Sequence, residues 1–217
     1  MLERTCPKKL LVEGRTEQRV IPELMEANGV TWPDNKEEAP VYIKEFDGIH
    51  NMLETGVIPT EIKASSIEVV GIMVDANDDA ESRFQNIRDR CIDQFPDMPD
   101  TIGEDGLIHS SEGKSIGVWL MPDNRSTGML ETFLTYLAPD EQDGLLCYAE
   151  EVCREAKEDK GAPYKPAHYD KAKIYTWLAW QDEPGRQLHQ AVKERILSPN
   201  SAYGAGFVNW FRELFQV

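Results

Sequence analysis

Cysteine is scarce in this chain, and its spacing matches no common metal-binding or redox motif. The 217 residues include four cysteines, at positions 6, 91, 147 and 153, and no two of them form a CxxC pair. We interpret them as buried free thiols in a reducing compartment, in preference to metal ligands or disulfides.

Long apolar runs are also missing. No stretch approaches the roughly 20 residues that a membrane-spanning helix needs, and the first residues, MLERTCPKK, lack the apolar core of a secretion signal. We therefore expect a cytoplasmic protein with no membrane partner. Hydrophobic residues make up 41% and charged residues 29% of the chain, which is typical of a globular protein with one sizeable core.

Basic residues are few relative to acidic ones. Asp and Glu number 39 against 23 Lys and Arg, and the formal net charge is −16. Because nucleic-acid binders present a basic face, a chain with this balance would as a whole be repelled by phosphate. A nucleic-acid ligand therefore requires a local cluster of basic residues, a metal ion or a basic partner.

The first part of the sequence alternates strand and helix patterns. Apolar or β-branched segments predict four strands, at residues 9–13, 41–46, 67–74 and 115–121. Helical patterns lie between them, at residues 16–27, 49–56 and 81–95. This order predicts an α/β fold, with a sheet of about four mainly parallel strands flanked by helices. Ligands of such sheets bind at the carboxyl ends of the strands.

The second part of the sequence is helical. It predicts helices at residues 131–137, 142–157, 171–179, 186–197 and 207–215. The last segment, FVNWFRELF, is interpreted as a helix that docks on the core. We expect residues 1–140 to form the α/β core and residues 141–217 a helical extension packed on it, within a single globular unit. Trp177, Trp180 and Trp210 are interpreted as core residues rather than base-stacking platforms.

Acidic side chains follow three of the predicted strands. Glu13 closes the first strand, Asp75 follows the third, and Asp123 lies just beyond the fourth, while Asn77 and Asp79 crowd the turn after Asp75. Crowded carboxylates are unfavourable unless a cation or a proton separates them, and oxygen ligands suit Mg²⁺ or Mn²⁺. These residues therefore predict a divalent-metal site. For each acid alone, the alternative is a turn former or a helix N-cap.

Several segments, in this order, resemble the Toprim superfamily. LLVEGRTEQRVIPELM resembles the opening motif of Toprim domains, and GIMVDANDDAESRF resembles their Asp-x-Asp motif. GVWLMPDNRSTGMLETFL, and DKAKIYTWLAWQDEPGRQLHQAV followed by FVNWF, are closer to a group of uncharacterised bacterial proteins known as DUF3226. The resemblance covers most of the chain and implies a Toprim-like, Rossmann-like sheet with a helical C-terminal extension.

The Toprim resemblance implies roles for the acids. In that family the acid of the first strand is a general acid/base and the Asp-x-Asp pair binds Mg²⁺. Glu13 would then move a proton and contact the metal, and Asp75 would be a metal ligand. The second aspartate of the pair falls on Asn77, which keeps a carbonyl ligand but loses a charge. Asp79, two residues further on, is the candidate that supplies it.

Five further side chains complete the candidate site. Glu131 is either a metal ligand or an acid that favours the dipole of its helix. Lys171 and Lys173, in HYDKAK, are the candidates for stabilising negative charge at a phosphoryl centre. Arg83, His168 and Lys171 are the candidates for contacting nucleic acid. For His168 the alternative is a solvated helix start, and for Arg83 it is pairing with nearby acids.

Three functional hypotheses follow. The first is a metal-dependent nuclease that hydrolyses DNA or RNA with Mg²⁺ or Mn²⁺. The second is an effector subunit that acts with a partner of the ABC or SMC ATPase type, as do Toprim nucleases of phage-defence systems. The third is a non-catalytic binding or regulatory module, in which Asn77 has weakened the metal site. The sequence leaves open whether the chain forms a homo-oligomer.

Overall fold

A five-stranded sheet organises the computed structural model of this protein, which describes residues 6–33, 35, 38–139 and 144–217. The strands are β1 (Lys8–Val12), β2 (Tyr42–Glu45), β3 (Val69–Asp75), β4 (Leu107–Ser111) and β5 (Lys114–Met121). Their order in the sheet is β2-β1-β3-β5-β4. The first three and β5 run parallel, and β4 pairs with β5 in the antiparallel direction. The predicted α/β class and mostly parallel sheet are confirmed.

Nine α-helices surround this sheet in the described parts of the chain. They are α1 (Arg15–Ala27), α2 (Ile49–Met52), α3 (Val57–Lys63), α4 (Ala80–Cys91), α5 (Leu130–Thr135), α6 (Gly144–Glu158), α7 (Tyr169–Leu178), α8 (Leu188–Lys193) and α9 (Ala205–Phe215). Short 3-10 turns lie at Pro166–His168 and Ala202–Gly204. None of the described helices is long and apolar enough to cross a membrane.

Two local expectations were wrong. The sheet has a fifth strand, β4, which the sequence pattern did not indicate. The single helix predicted at residues 49–56 is instead the one-turn α2, and a separate helix, α3, follows it from Val57. Residues 142 and 143 of another predicted helix, and the predicted boundary after residue 140, lie outside the described residues.

The alternation of side chains in the strands gives the sheet two buried faces. Leu10 and Val12 of β1 pack with α1 and the C-terminal helices on one face. Leu11, between them, packs with α2, α3 and α4 on the other. The apolar side of α9 is buried as predicted, but Trp180 is 38% exposed, unlike the buried Trp177 and Trp210. It stacks on Tyr148, with ring centroids 5.5 Å apart, so its assignment to the core was wrong.

All four cysteines are free thiols, as expected. Cys6, Cys91 and Cys153 are buried. Cys147 is exposed, which corrects the expectation of burial for that residue.

Two glycines allow α9 to approach the sheet closely. A Cβ added to Gly117 of β5 would lie 2.4 Å from Cδ2 of Leu214. A Cβ added to Gly71 of β3 would lie 2.8 Å from Cζ of Phe215. A Cβ at either position would force the neighbouring side chains to move.

We expect Gly117→Ala to lower the free energy of unfolding by about 1–3 kcal/mol, because it inserts a methyl group into space that Leu214 already fills. Urea unfolding measures the change. Gly103→Ala is the matched control, since a Cβ there meets no heavy atom within 4 Å. Equal stabilities of the two variants would contradict the tight contact between α9 and the sheet.

Candidate functional site

Two acids meet where the neighbouring strands β1 and β3 end. Glu13 directly follows β1, and Asp75 is the last residue of β3. Since the two strands pair in parallel, their carboxyl ends lie side by side. Oε1 of Glu13 accepts a hydrogen bond from the backbone N–H of Asp75 at 2.8 Å. The sequence prediction that these two residues come together agrees with this contact.

Helix α5 brings a third acid to the same place. The backbone N–H of Leu130, its first residue, donates to Oδ1 of Asp75 at 2.9 Å, and the next residue, Glu131, is buried. The approach of α5 is fixed by two backbone hydrogen bonds, both 2.8 Å long, between Asn77 and Gly128. Gly128 has φ +141°, and a Cβ there would lie 2.6 Å from Oγ1 of Thr132. Glycine is therefore required for this close turn.

A fourth acid, Glu17, was not among the predicted site residues. It lies in the first turn of α1, is buried, and its Oε2 accepts a hydrogen bond from the backbone N–H of Gly14 at 3.1 Å. An acid three residues after a helix N-cap is a recognisable capping signal, and Glu17 is also four residues after Glu13. We call the four carboxylates the acidic cluster: Glu13, Glu17, Asp75 and Glu131.

The acidic cluster is electrostatically strained. Burial, followed by the charges of the other three carboxylates, raises the pKa of Asp75 well above its ordinary value. Burial also raises the pKa of Glu13 and of Glu17, and the charge of Glu131 adds to both effects. The charges of Arg83 and His50 oppose the rise at Glu13. Protons or cations are therefore favoured among these side chains.

Lys171 is the cation in direct contact with the cluster. Its Nζ lies 3.0 Å from Oε1 of Glu131, and the two side chains are 45% and 5% exposed. Burial lowers the pKa of Lys171, but Glu131 and the more distant Asp75 outweigh that effect and raise it. Lys171 is thus held in its charged form beside the acids, which agrees with its predicted place in the site.

Two other predicted ligands serve local structure. Asp79 is the N-cap of α4, and its two oxygens accept hydrogen bonds from the backbone N–H and the hydroxyl of Ser82. The Ser82 contacts lower the pKa of Asp79. Asp123 likewise uses both oxygens in a turn, accepting from the backbone N–H and the hydroxyl of Ser126. Neither acid contacts the acidic cluster through a described hydrogen bond.

The remaining predicted residues make no described hydrogen bond or ion pair with the cluster. Arg83 lies within electrostatic reach of Glu13, and its buried Nε has no hydrogen-bond partner among the described residues. Lys173 pairs instead with Asp170 at 3.1 Å. His168 is exposed, in the turn before α7, without a described hydrogen bond to the cluster. Asn77, with φ 54°, holds the α5 turn through its backbone.

The donor chemistry of the cluster suits a hard divalent cation, although its present geometry is open. Among the described residues, no group of three or more His, Cys, Asp and Glu side chains is arranged to hold a metal ion. Mg²⁺, however, commonly keeps several waters and is bound through only one or two carboxylates. Oε2 of Glu13 and Oδ2 of Asp75 accept no hydrogen bond from a described residue, so each retains an oxygen for such contacts.

A protein-family model matches this chain. The model of a family described as "Protein of unknown function (DUF3226)" matches residues 7–216, nearly the whole chain. No curated protein and no solved structure matches the chain significantly.

Proposed function

We propose that this chain, which belongs to the DUF3226 family of proteins of unknown function, is a Toprim-like nuclease that depends on Mg²⁺ or Mn²⁺. Its substrate would be the phosphodiester backbone of DNA or RNA. The observation that carries the proposal is the gathering of four carboxylates at one edge of the sheet, where Glu17 and Glu131 are buried and Glu13 and Asp75 are half-buried.

The electrostatics of the cluster support a metal. Burying like charges is unfavourable, and here the unfavourable energy appears as raised pKa values of Glu13, Glu17 and Asp75. A single lysine, Lys171, makes an ion pair with the cluster in the described residues, and it pairs with Glu131 alone. A divalent cation beside Glu13 and Asp75 would remove the remaining repulsion.

The residues of the site divide the chemistry between them. When bound, Mg²⁺ or Mn²⁺ supplies a Lewis acid that stabilises negative charge on the phosphodiester and activates water. Glu13 would accept the proton of the attacking water as the water oxygen bonds to phosphorus, while the P–O bond to the leaving sugar oxygen breaks and that oxygen takes a proton from solvent. Lys171 stabilises charge that develops on the phosphoryl oxygens. Asp75 and Glu13 provide the oxygen ligands.

Metal binding and cleavage test the proposal together. We expect Mn²⁺ to bind the wild-type protein in a calorimetric titration and to support cleavage of DNA or RNA oligonucleotides. Asp75→Ala should abolish binding, and both Asp75→Ala and Glu13→Ala should abolish cleavage, because they remove the ligands at the strand ends. Asp89→Ala, at an exposed acid on α4, is the matched control. Cleavage that survives both cluster variants would exclude this mechanism.

A second candidate is a metal-degenerate binding or regulatory subunit. It is favoured by Asn77 at the second position of the Asp-x-Asp motif and by the open geometry of the acids. The net charge of −16 also suits a chain that docks on a basic partner, such as an ATPase of the ABC or SMC type. Tight, Asp75-dependent binding of Mn²⁺ excludes the degenerate site, and co-purification from the native host tests for the partner.

A further inference from the structure

A cleft with the opposite charge lies beside the acidic cluster. It has an empty volume of about 280 Å³, is open to solvent, and lies between α1, α7 and the start of α8. Its polar lining consists of Arg15, Thr16, Arg19, Tyr175, Gln187 and His189. We call it the basic cleft. No acidic side chain is among its lining residues.

The basic cleft contains an arginine that has no partner among the described residues. Arg19 is exposed and makes no ion pair or side-chain hydrogen bond with a described residue. Arg15 has only a loose pair with Glu45, at 3.6 Å, and is 78% exposed. Both arginines therefore have N–H groups that can contact an anion in the cleft. Guanidinium groups bind phosphate in bidentate fashion, which gives both affinity and orientation.

Positive charge dominates around His189. Burial, followed by the charge of Arg19, lowers the pKa of this imidazole, and Lys193 acts in the same direction. Glu23 opposes them, but it is paired with Lys193 at 3.3 Å. An anion in the cleft would relieve this repulsion. Thr16, Gln187 and Tyr175 add groups that can donate hydrogen bonds to its oxygens.

Tyr175 connects the basic cleft with the acidic cluster. It is four residues after Lys171 on α7, so the two side chains share one face of the helix about one turn apart. Burial and the charge of Glu131 raise the pKa of Tyr175, which places its hydroxyl within electrostatic reach of the cluster. Arg15, another lining residue of the cleft, lies two residues after Glu13 in the chain.

We propose that the basic cleft binds a phosphate group of the nucleic-acid substrate, adjacent to the phosphodiester that is hydrolysed at the acidic cluster. This assignment names a substrate contact and rests on the proposed nuclease function. It also explains how a chain with a net charge of −16 could bind nucleic acid, since a small local set of cations, rather than a basic face, holds the substrate.

Binding is tested first without metal or catalysis. The probes are inorganic phosphate and a thymidine trinucleotide, titrated into protein with ¹⁵N-labelled histidine, and His189→Gln identifies the imidazole signal of His189. We expect a saturable shift of that signal in the wild-type protein. Arg19→Gln should weaken the binding by about tenfold, since a charge-assisted contact is lost. Arg154→Gln, at an exposed arginine on α6 outside the cleft, should leave it unchanged.

Cleavage kinetics then separate the cleft from the proposed function. Arg19→Gln should raise KM for an oligonucleotide with little change in kcat, because it removes binding that ground state and transition state share. The absence of a His189 shift, or equal affinities of Arg19→Gln and wild type, overturns the cleft assignment even where cleavage is observed. Phosphate binding at His189 without any metal-dependent cleavage overturns the nuclease function, and with it the assignment of the bound phosphate to a cleaved substrate.

Discussion

Asp75→Asn is expected to stabilise the metal-free protein while removing its metal-dependent activity. The carboxyl of Asp75 is held beside three other acids, which raise its pKa, and a neutral amide removes that repulsion. Asn also retains an oxygen that can accept from the Leu130 N–H. We expect the free energy of unfolding at neutral pH to rise by about 1 kcal/mol, a typical gain for a strained functional site. In thermal unfolding this is roughly 2–4 °C in Tm.

The gain should depend on pH in a defined direction. A group whose pKa is raised on folding contributes stability that is fully present below its unfolded pKa and is lost as the pH rises through its folded pKa. The raised pKa of Asp75 therefore lowers wild-type stability toward neutral and alkaline pH. The difference in Tm between Asp75→Asn and wild type should be smallest near about pH 4, the ordinary pKa of Asp, and should grow above it.

Glu61→Gln is the matched control, because neutralising this acid should change the stability in the opposite direction. Glu61 accepts hydrogen bonds from Lys9 at 2.7 Å and from Lys44 at 2.9 Å. Although burial acts to raise its pKa, these two lysines outweigh burial and lower it. Its neutralisation should destabilise the fold by about 3 kcal/mol, since Lys9 is buried and loses its counter-charge. Destabilisation by Asp75→Asn as well would show that the acidic cluster is not under repulsion.

In the presence of metal, Asp75→Asn should be less stable than the wild-type protein. At a Mn²⁺ concentration of about 100 times Kd, the wild-type protein gains about 2.7 kcal/mol of stability, and a variant without the site gains none.

Glu13→Gln should slow cleavage by roughly 10²–10⁴-fold, the usual effect of removing a positioned proton acceptor. A stability gain together with lost activity would mark the cluster as a functional site.

The meeting of Glu13 and Asp75 could be predicted because it follows from strand direction. Parallel strands end at the same edge of a sheet, so acids at two strand ends become neighbours when the strands are adjacent. The apolar runs that form β1 and β3 were readily recognised, since strands buried on both faces carry few polar residues. The match of the family model to residues 7–216 agrees with the resemblance to DUF3226 proteins.

Edge strand β4 could not be predicted, because it lacks the apolar run that made β1 and β3 recognisable. Its sequence, LIHSS, is short and polar, and it pairs only with β5. Its turn uses Glu112 and Gly113, both with positive φ, where an Asn-Gly or Asp-Gly pair would have given a clear hairpin signal. The position of β4 is decided by pairing within the sheet rather than by local preference.

The sequence also could not show which acids belong to the candidate site. Asp79 and Asp123 have the same residue type as Asp75 and lie in the turns that follow β3 and β5, yet both are used in local hydrogen bonds with serines. Glu17 resembles an ordinary first-turn acid that favours the helix dipole, yet it is buried beside the cluster. The packing of elements that are distant in the sequence, such as α5, decides which of these acids join the cluster. The residues next to each acid in the sequence do not reveal that packing.

Lys171→Met is expected to lower the free energy of unfolding by about 2–3 kcal/mol. Glu131 is only 5% exposed, and Lys171 is its ion-pair partner at 3.0 Å. Loss of the lysine leaves a buried carboxylate uncompensated, which costs about 3–5 kcal/mol for a fully buried pair and less here, because Lys171 is 45% exposed. Lys173→Met is the control, since its partners Asp170 and Glu150 are 26% and 50% exposed and the pairs contribute little.

The double variant Lys171→Met with Glu131→Gln separates stability from catalysis. Neutralising Glu131 removes the uncompensated charge, so the double variant should regain most of the stability that Lys171→Met loses. If Lys171 stabilises negative charge on the phosphoryl oxygens, cleavage by the double variant should remain at least about tenfold slower than that of Glu131→Gln alone. Equal rates for those two variants would assign Lys171 the purely structural role of balancing Glu131.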